Sequence, residues 1–201
     1  MSASSSSLEA GKNVLEVALA QVELVQEEWK EYTSEGLRAA TSLSNNFIHC
    51  GYLSGRSWGV LQQQSDIQFM VHSKTKLRRI DDVTKLRQSE SNLVEAEKRM
   101  NGFLQSLREA VSSSTAKCGN DYLPVLTKTC TIKDVCGYIQ EISTMLQDDL
   151  RVKKAVVADL SMREHVDRQE LLCYLSAWSS SPLIDEDRMD EICRILKAEI
   201  L

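Results

Sequence analysis

The chain has little that interrupts a helix. Two prolines and eight glycines in 201 residues cannot punctuate the many short strands of a sandwich or barrel, and aromatics at 5% are thin for a sheet core. No window approaches about 18 consecutive apolar residues, so no membrane-spanning helix is expected. The serine-rich Met1–Ser7 stretch has neither a basic n-region nor an apolar h-region; it does not read as a secretory signal and is expected to be a short disordered tail. Excess positive charge is missing too. Lys and Arg total 24 against 29 Asp and Glu, a net charge of −5, which argues against direct nucleic-acid binding through a basic face.

Catalytic and metal-binding patterns are equally scarce. The six cysteines, Cys50, Cys118, Cys130, Cys136, Cys173 and Cys193, include no C-x-x-C pair. Zinc ligands stand at shorter intervals, so reduced thiols in a cytosolic or nuclear protein are the expectation, with neither metal nor cofactor. His49, His72 and His165 are scattered, and no G-x-S-x-G or H-E-x-x-H occurs. Asp148 and Asp149 are adjacent, so on a helix their side chains diverge by about 100° and cannot converge on one atom. Gly51, Gly55 and Gly59 lack the G-K-[ST] ending and preceding strand of a phosphate loop; with Tyr52 and Trp58 they read as a connector or a small-residue helix crossing. No enzyme is expected from this inventory.

What remains is helical rhythm. A first helix is expected over about 8–47, with Ala18, Val22, Val25, Trp29 and Tyr32 in a four-three seam that Gly36 interrupts and Ala39, Ala40, Leu43 and Phe47 resume. Gly36 costs about 1 kcal/mol against alanine, which suggests a close crossing or a bend. A second helix over about 74–111 carries Leu86, Leu93, Ala96, Met100, Phe103 or Leu104, Leu107 and Val111; Lys74, Lys76, Arg78 and Arg79 form a small basic cluster on it. Loops are expected over about 48–66 and 112–130. Thr131-x-x-Asp134, a capping-box variant, opens a third helix to about 160 through Val135, Ile139, Ile142, Leu146, Leu150, Val156, Val157 and Leu160. Short helices follow over about 168–179, with Asp167 as cap and Leu171, Leu172, Tyr174, Leu175 and Trp178 as its apolar run, and over about 185–200. Pro182 forces the break between them, and Asp185 caps a last helix bearing Met189, Ile192, Cys193, Leu196 and Ile200. The reading is all-α: one elongated antiparallel bundle or coiled-coil hairpin over 8–201, ending in a helical clamp.

Trp29, Gly36 and Asn45, then Ser113-Ser-Thr115 with Tyr122, then Leu150-x-x-Lys153 and Tyr174-Leu175-Ser176-x-Trp178-x3-Pro182 stand in an order that resembles the cyclin-dependent-kinase-2-interacting protein family. The similarity covers nearly the whole chain and is strongest from Asp149 to Arg188, where Val156 and Leu160 also match. The segment around Gly51–Gly59 has no counterpart, and the one Ser/Thr-Pro dipeptide, Ser181-Pro182, is not followed by a base. The resemblance implies a small nuclear helical adaptor of replication and checkpoint pathways. Its implied partners are cyclin-dependent and replication-firing kinases, a checkpoint kinase's partner subunit, and a type II AAA+ ATPase complex with a second small helical subunit. That complex is implied to act on chromatin and in maturation of the large ribosomal subunit. A homo-oligomeric coiled-coil tether is the alternative.

Two expectations concern particular side chains. Trp178 should be a core residue near Val156 and Leu160. Leu183, Ile184, Arg188 and Met189, as outer positions of the clamp, are the candidate partner-binding residues, because methionine, arginine and exposed aliphatics are at home in interface centres.

Overall fold

A computed structural model describes residues 3–55, 58, 63–118, 130–163 and 166–200. Five helices follow in order: α1 (Ala3–Gly55), α2 (Ser65–Cys118), α3 (Ile132–Met162), α4 (Arg168–Ser180) and α5 (Glu186–Ile200), with no strand among the described residues. The fold is an all-α helical bundle, as expected. The helices are longer than anticipated. α1 begins at Ala3, inside the stretch read as a disordered tail, and continues through Gly51 to Gly55, across the first half of the expected connector. Nothing lies within 4 Å of a Cβ placed on Gly51, so this glycine costs only its propensity, about 1 kcal/mol, too little to stop a long helix. α2 starts nine residues early, at Ser65, and runs to Cys118. Of the expected 112–130 loop, residues 119–129 lie outside the described residues, as do Gly59 and His165.

Contacts divide the chain into two compact units. The first takes Met1–Trp29, Val94–Asp149 and Pro182–Leu201; the second takes Lys30–Leu93 and Leu150–Ser181. Three of the helices carry apolar seams long enough to supply both cores. In the first unit α1 contributes Leu15, Ala18, Val22, Val25 and Trp29, α2 Ala96, Met100, Leu104 and Leu107, α3 Val135, Ile139, Ile142 and Leu146, and α5 Met189, Ile192, Cys193 and Leu196, all buried. Lys197 pairs with Glu23 while Cys193 lies against Gln26, so α5 runs antiparallel to α1 here. Ser143 bonds Asn101 and Gln140 meets Arg108, which makes α3 antiparallel to α2.

In the second unit the seam is Ala39, Ala40, Leu43 and Phe47 of α1, Leu86 and Leu93 of α2, Leu150, Val156, Val157 and Leu160 of α3, and Leu171 and Trp178 of α4. α1 and α2 are again antiparallel: Tyr32 meets Ser89, Ser42 meets Asp82, and the Arg79 guanidinium lies 4.7 Å from the Phe47 ring centroid. Leu172 departs from its expected place in the apolar run of α4 and is 57% exposed. Seven residues separate Leu171 from Trp178, nearly two turns, and a strip that narrow leaves the adjacent Leu172 to solvent.

The expected caps form. Thr131 N donates to Asp134 Oδ2 at 2.8 Å and Asp134 N to Thr131 Oγ1 at 3.2 Å, the reciprocal pair that opens α3. Asp167 accepts from Arg168 N at the start of α4, and Asp185 Oδ1 from Arg188 N at 2.9 Å at the start of α5. Ser181 ends α4 in the left-handed region at φ 41°, and Pro182 follows. No helix among the described residues is long and apolar enough to cross a membrane.

Candidate functional site

The residues that carry the family resemblance are mostly buried and interlocked within their own units. In the second unit α4 delivers Trp178 fully buried against α1 at Gly36. A Cβ on Gly36 would lie 2.6 Å from Trp178 Cε2, nearer still to Cζ2, and 2.7 Å from Ser89 Oγ. Gly36 is thus a close-approach glycine, the crossing its position suggested. One turn back along α1, the Thr33 carbonyl accepts the indole N–H at 2.8 Å. Lys153 of α3 is fully buried; its ammonium donates to the Trp178 carbonyl at 3.2 Å and to Ser181 Oγ at 2.8 Å, and stands 5.6 Å from the indole centroid. A cation at the carbonyl end of α4 satisfies its last acceptors and complements the helix dipole. Tyr174 OH donates to Asp159 Oδ2 at 2.6 Å, a second tie from α4 to α3. Leu175 is half-buried and Pro182 exposed. In the first unit the buried Trp29 donates its indole N–H to the buried Asp149 at 3.0 Å. These arrangements position helices.

The four residues expected to bind a partner do not form one open surface. Met189 is only 3% exposed and belongs to the core of the first unit, so its assignment to an outer face is corrected: it shares its strip of α5 with Ile192, Cys193 and Leu196. Arg188 is committed within the fold. Its Nε and Nη2 donate to Glu141 at 2.8 and 2.9 Å and its Nη1 to Glu191 at 2.7 Å. The hydrogen bonds from Arg188 hold the Glu141 carboxyl below the usual carboxylate range. Ile184 is half-buried, and Leu183 alone is substantially exposed.

A different surface stands out. In the second unit, Phe69 (73%), Met70 (67%), Leu77 (67%) and Ile80 (56%) of α2 are exposed. At about 100° per residue they fall within an arc of about 100° on the side of α2 opposite Leu86 and Leu93, which face the core. Met70 and Leu77 are seven residues apart and Ile80 three further on, the spacing of a helix-pairing seam. Full burial of such side chains is worth about 1.5–3 kcal/mol each, so the strip holds enough latent energy to matter to a partner. A second helix expected only from about residue 74 does not show it, because Phe69 and Met70 then fall between that helix and the loop expected over 48–66. The seven-residue repeat from Met70 to Leu77 was the available signal.

Between α1 and α2 of the second unit lies a polar cleft of about 440 Å³ lined by residues including Asn45, Asn46, His49, Arg78 and Asp82. Its buried carboxylate is already satisfied, since Ser42 Oγ and Asn46 Nδ2 donate to Asp82 at 3.0 and 2.5 Å. No protein-family model matches the chain, and no curated protein matches it either.

Proposed function

We propose that this chain is a non-catalytic helical adaptor that binds other proteins through the outer face of α2. The observation that carries the reading is the exposed strip of Phe69, Met70, Leu77 and Ile80 on a helix whose opposite face is already packed. A well-packed bundle has no folding use for four large apolar side chains in water, and exposed strips of this kind are characteristic of interaction sites.

The partner classes come from the resemblance. They are a type II AAA+ ATPase with a second small helical subunit, together with cyclin-dependent and replication kinases and a checkpoint kinase's partner subunit. The setting is the nucleus, on chromatin, with a further role in large ribosomal subunit maturation. The burial of Trp29, Gly36, Lys153 and Trp178 supports that resemblance as one of fold. Affinity purification of the full chain from its native cells is the test. Recovery of an AAA+ ATPase together with a small helical subunit is expected; recovery of neither overturns the reading. The seven-residue spacing on α2 also suits a second reading, a homo-oligomeric coiled-coil tether. Sedimentation of the purified chain separates the two, because a stable homodimer or trimer favours the tether.

A further inference from the structure

We propose that the outer strip of α2 receives one acidic amphipathic helix from a partner protein; this rests on the adaptor reading and specifies its docking surface. Taking Met70 and Leu77 as equivalent seam positions, Ile80 occupies the alternate seam position, and so does Ser73 between them. Lys74 and Lys76 then fall at the two positions that flank a helix-pairing seam, one on each side. Both are exposed, and neither has an acidic partner among the described residues. Thr75, between the two lysines, is buried toward the core, which confirms that the lysines border the outer face. Asp81, on the same flank just past Ile80, is held by Lys85 at 2.6 Å, so the rim charges left to meet a partner are basic although the chain as a whole carries a net charge of −5.

That rim selects the occupant. An antiparallel second copy would set lysine against lysine, and in a parallel pair Lys74 would face Phe69 while Lys76 would face Asp81, which Lys85 already holds at 2.6 Å. A partner helix with Glu or Asp at its flanking positions converts the same contacts into attractive pairs. From Phe69 to Ile80 the strip rises about 16 Å, so it is matched by about three turns of partner helix. Ser73 is small where the seam calls for a large side chain, which leaves room for a bulky apolar residue of the partner. A lipid surface would accept a broad basic face, whereas this strip is a narrow seam.

Synthetic helical peptides of about three heptads, with identical leucine seams and either Glu or Lys at the flanking positions, are titrated against the full chain by fluorescence anisotropy. The Glu peptide is expected to bind about tenfold more tightly than the Lys peptide. Leu77→Gln with Ile80→Gln should abolish binding without changing the melt, because both side chains face solvent. Lys74→Glu with Lys76→Glu should invert the preference. Equal binding of both peptides, binding that survives Leu77→Gln, or failure of the charge swap to invert selectivity would overturn the proposal. Preferential binding to anionic phosphatidylserine vesicles would replace it with a membrane site, and a homodimer lost on Leu77→Gln would replace it with self-association. If the native-cell purification recovers the same ATPase with wild type and with Leu77→Gln, the adaptor reading stands and this surface falls. If it recovers none while the Glu peptide still discriminates, the surface stands and the adaptor assignment falls.

Discussion

Replacing Gly36 with alanine separates helix propensity from packing, because the two predict opposite signs. On propensity alone, Gly→Ala inside a helix stabilises by about 1 kcal/mol. Against this, the new methyl would sit 2.6 Å from Trp178 Cε2 and 2.7 Å from Ser89 Oγ, distances that real Cβ atoms essentially never show. Neither neighbour yields easily. The indole is fully buried with its N–H bonded to Thr33 O, the Trp178 carbonyl is held by Lys153, and Ser89 Oγ bonds the Tyr32 carbonyl. Overpacking of a tight core costs about 1–3 kcal/mol, and the closeness here argues for the upper end. Taking about 3 kcal/mol for the clash less about 1 kcal/mol regained in propensity, Gly36→Ala should destabilise by about 2 kcal/mol. Gly102→Ala and Gly137→Ala are the controls: nothing lies within 4 Å of a Cβ at either position, so both should stabilise by about 0.5–1 kcal/mol. Urea denaturation of the purified chain reads all three. Trp178→Phe supplies a further check, because the smaller ring relieves the clash and Gly36→Ala should cost less in that background than in wild type. A Gly36→Ala variant that stabilises as much as Gly137→Ala would refute the seating of Trp178 on Gly36.

Trp178→Ala should cost about 3–5 kcal/mol in the same assay, since it empties a fully buried site and removes the indole hydrogen bond to the Thr33 carbonyl; an unchanged melt would place the indole in solvent. Among the thiols, exposed Cys173 should be alkylated by iodoacetamide well before buried Cys130, whose pKa burial pushes up to about 11, and peptide mass spectrometry at early time points reads the order. Hydrogen bonds from Thr131 hold Asp134 low, and that from Arg188 holds Glu141 low, so their stabilisation is present above the unfolded carboxylate pKa and is lost as pH falls through the lower folded values. Tyr174 is raised by its hydrogen bond to Asp159, so its contribution is complete below the unfolded tyrosine pKa, about 10, and is lost as pH rises through the folded value. Denaturation midpoints across pH should therefore fall at both ends, with Asp134→Asn flattening the acid limb and Tyr174→Phe the alkaline one.

Periodicity made the helices readable because a seam repeats, and repetition survives errors at single positions. Ala18 to Trp29, Leu86 to Leu107 and Val135 to Leu160 were all visible in this way, and so was the choice left open between Phe103 and Leu104, which burial resolves for Leu104. Helix ends were less readable. Gly51, Gly55 and the serines near Met1 signal breaks by propensity, but each costs about 1 kcal/mol or less against a helix already nucleated and long. The division into two units was hidden because a seam records which face is buried and not which stretch of another helix covers it. Met189 was misplaced for a related reason. Its composition suits an interface centre and a core equally well, and only the phase it shares with Ile192 and Leu196 decides between them.

Lys153 shows what no periodic reading could reach. As a charge within a helix it belongs on a solvated face, yet it is fully buried, because its ammonium is spent on the carbonyl of Trp178 and the hydroxyl of Ser181, residues more than twenty positions away. Gly36 is similar: alone it is a weak spot in a helix, and beside Trp178 it becomes the space the indole needs. These are the positions on which the family resemblance rests. Their roles lie inside the bundle, so the signature speaks first to fold and only through fold to partners. On the proposal made above, contacts with a partner fall to side chains that the bundle leaves in water, among them Phe69, Met70, Leu77 and Ile80 of α2, bordered by Lys74 and Lys76. A relative that keeps Gly36, Lys153 and Trp178 but replaces that strip with polar residues would share this fold and dock differently.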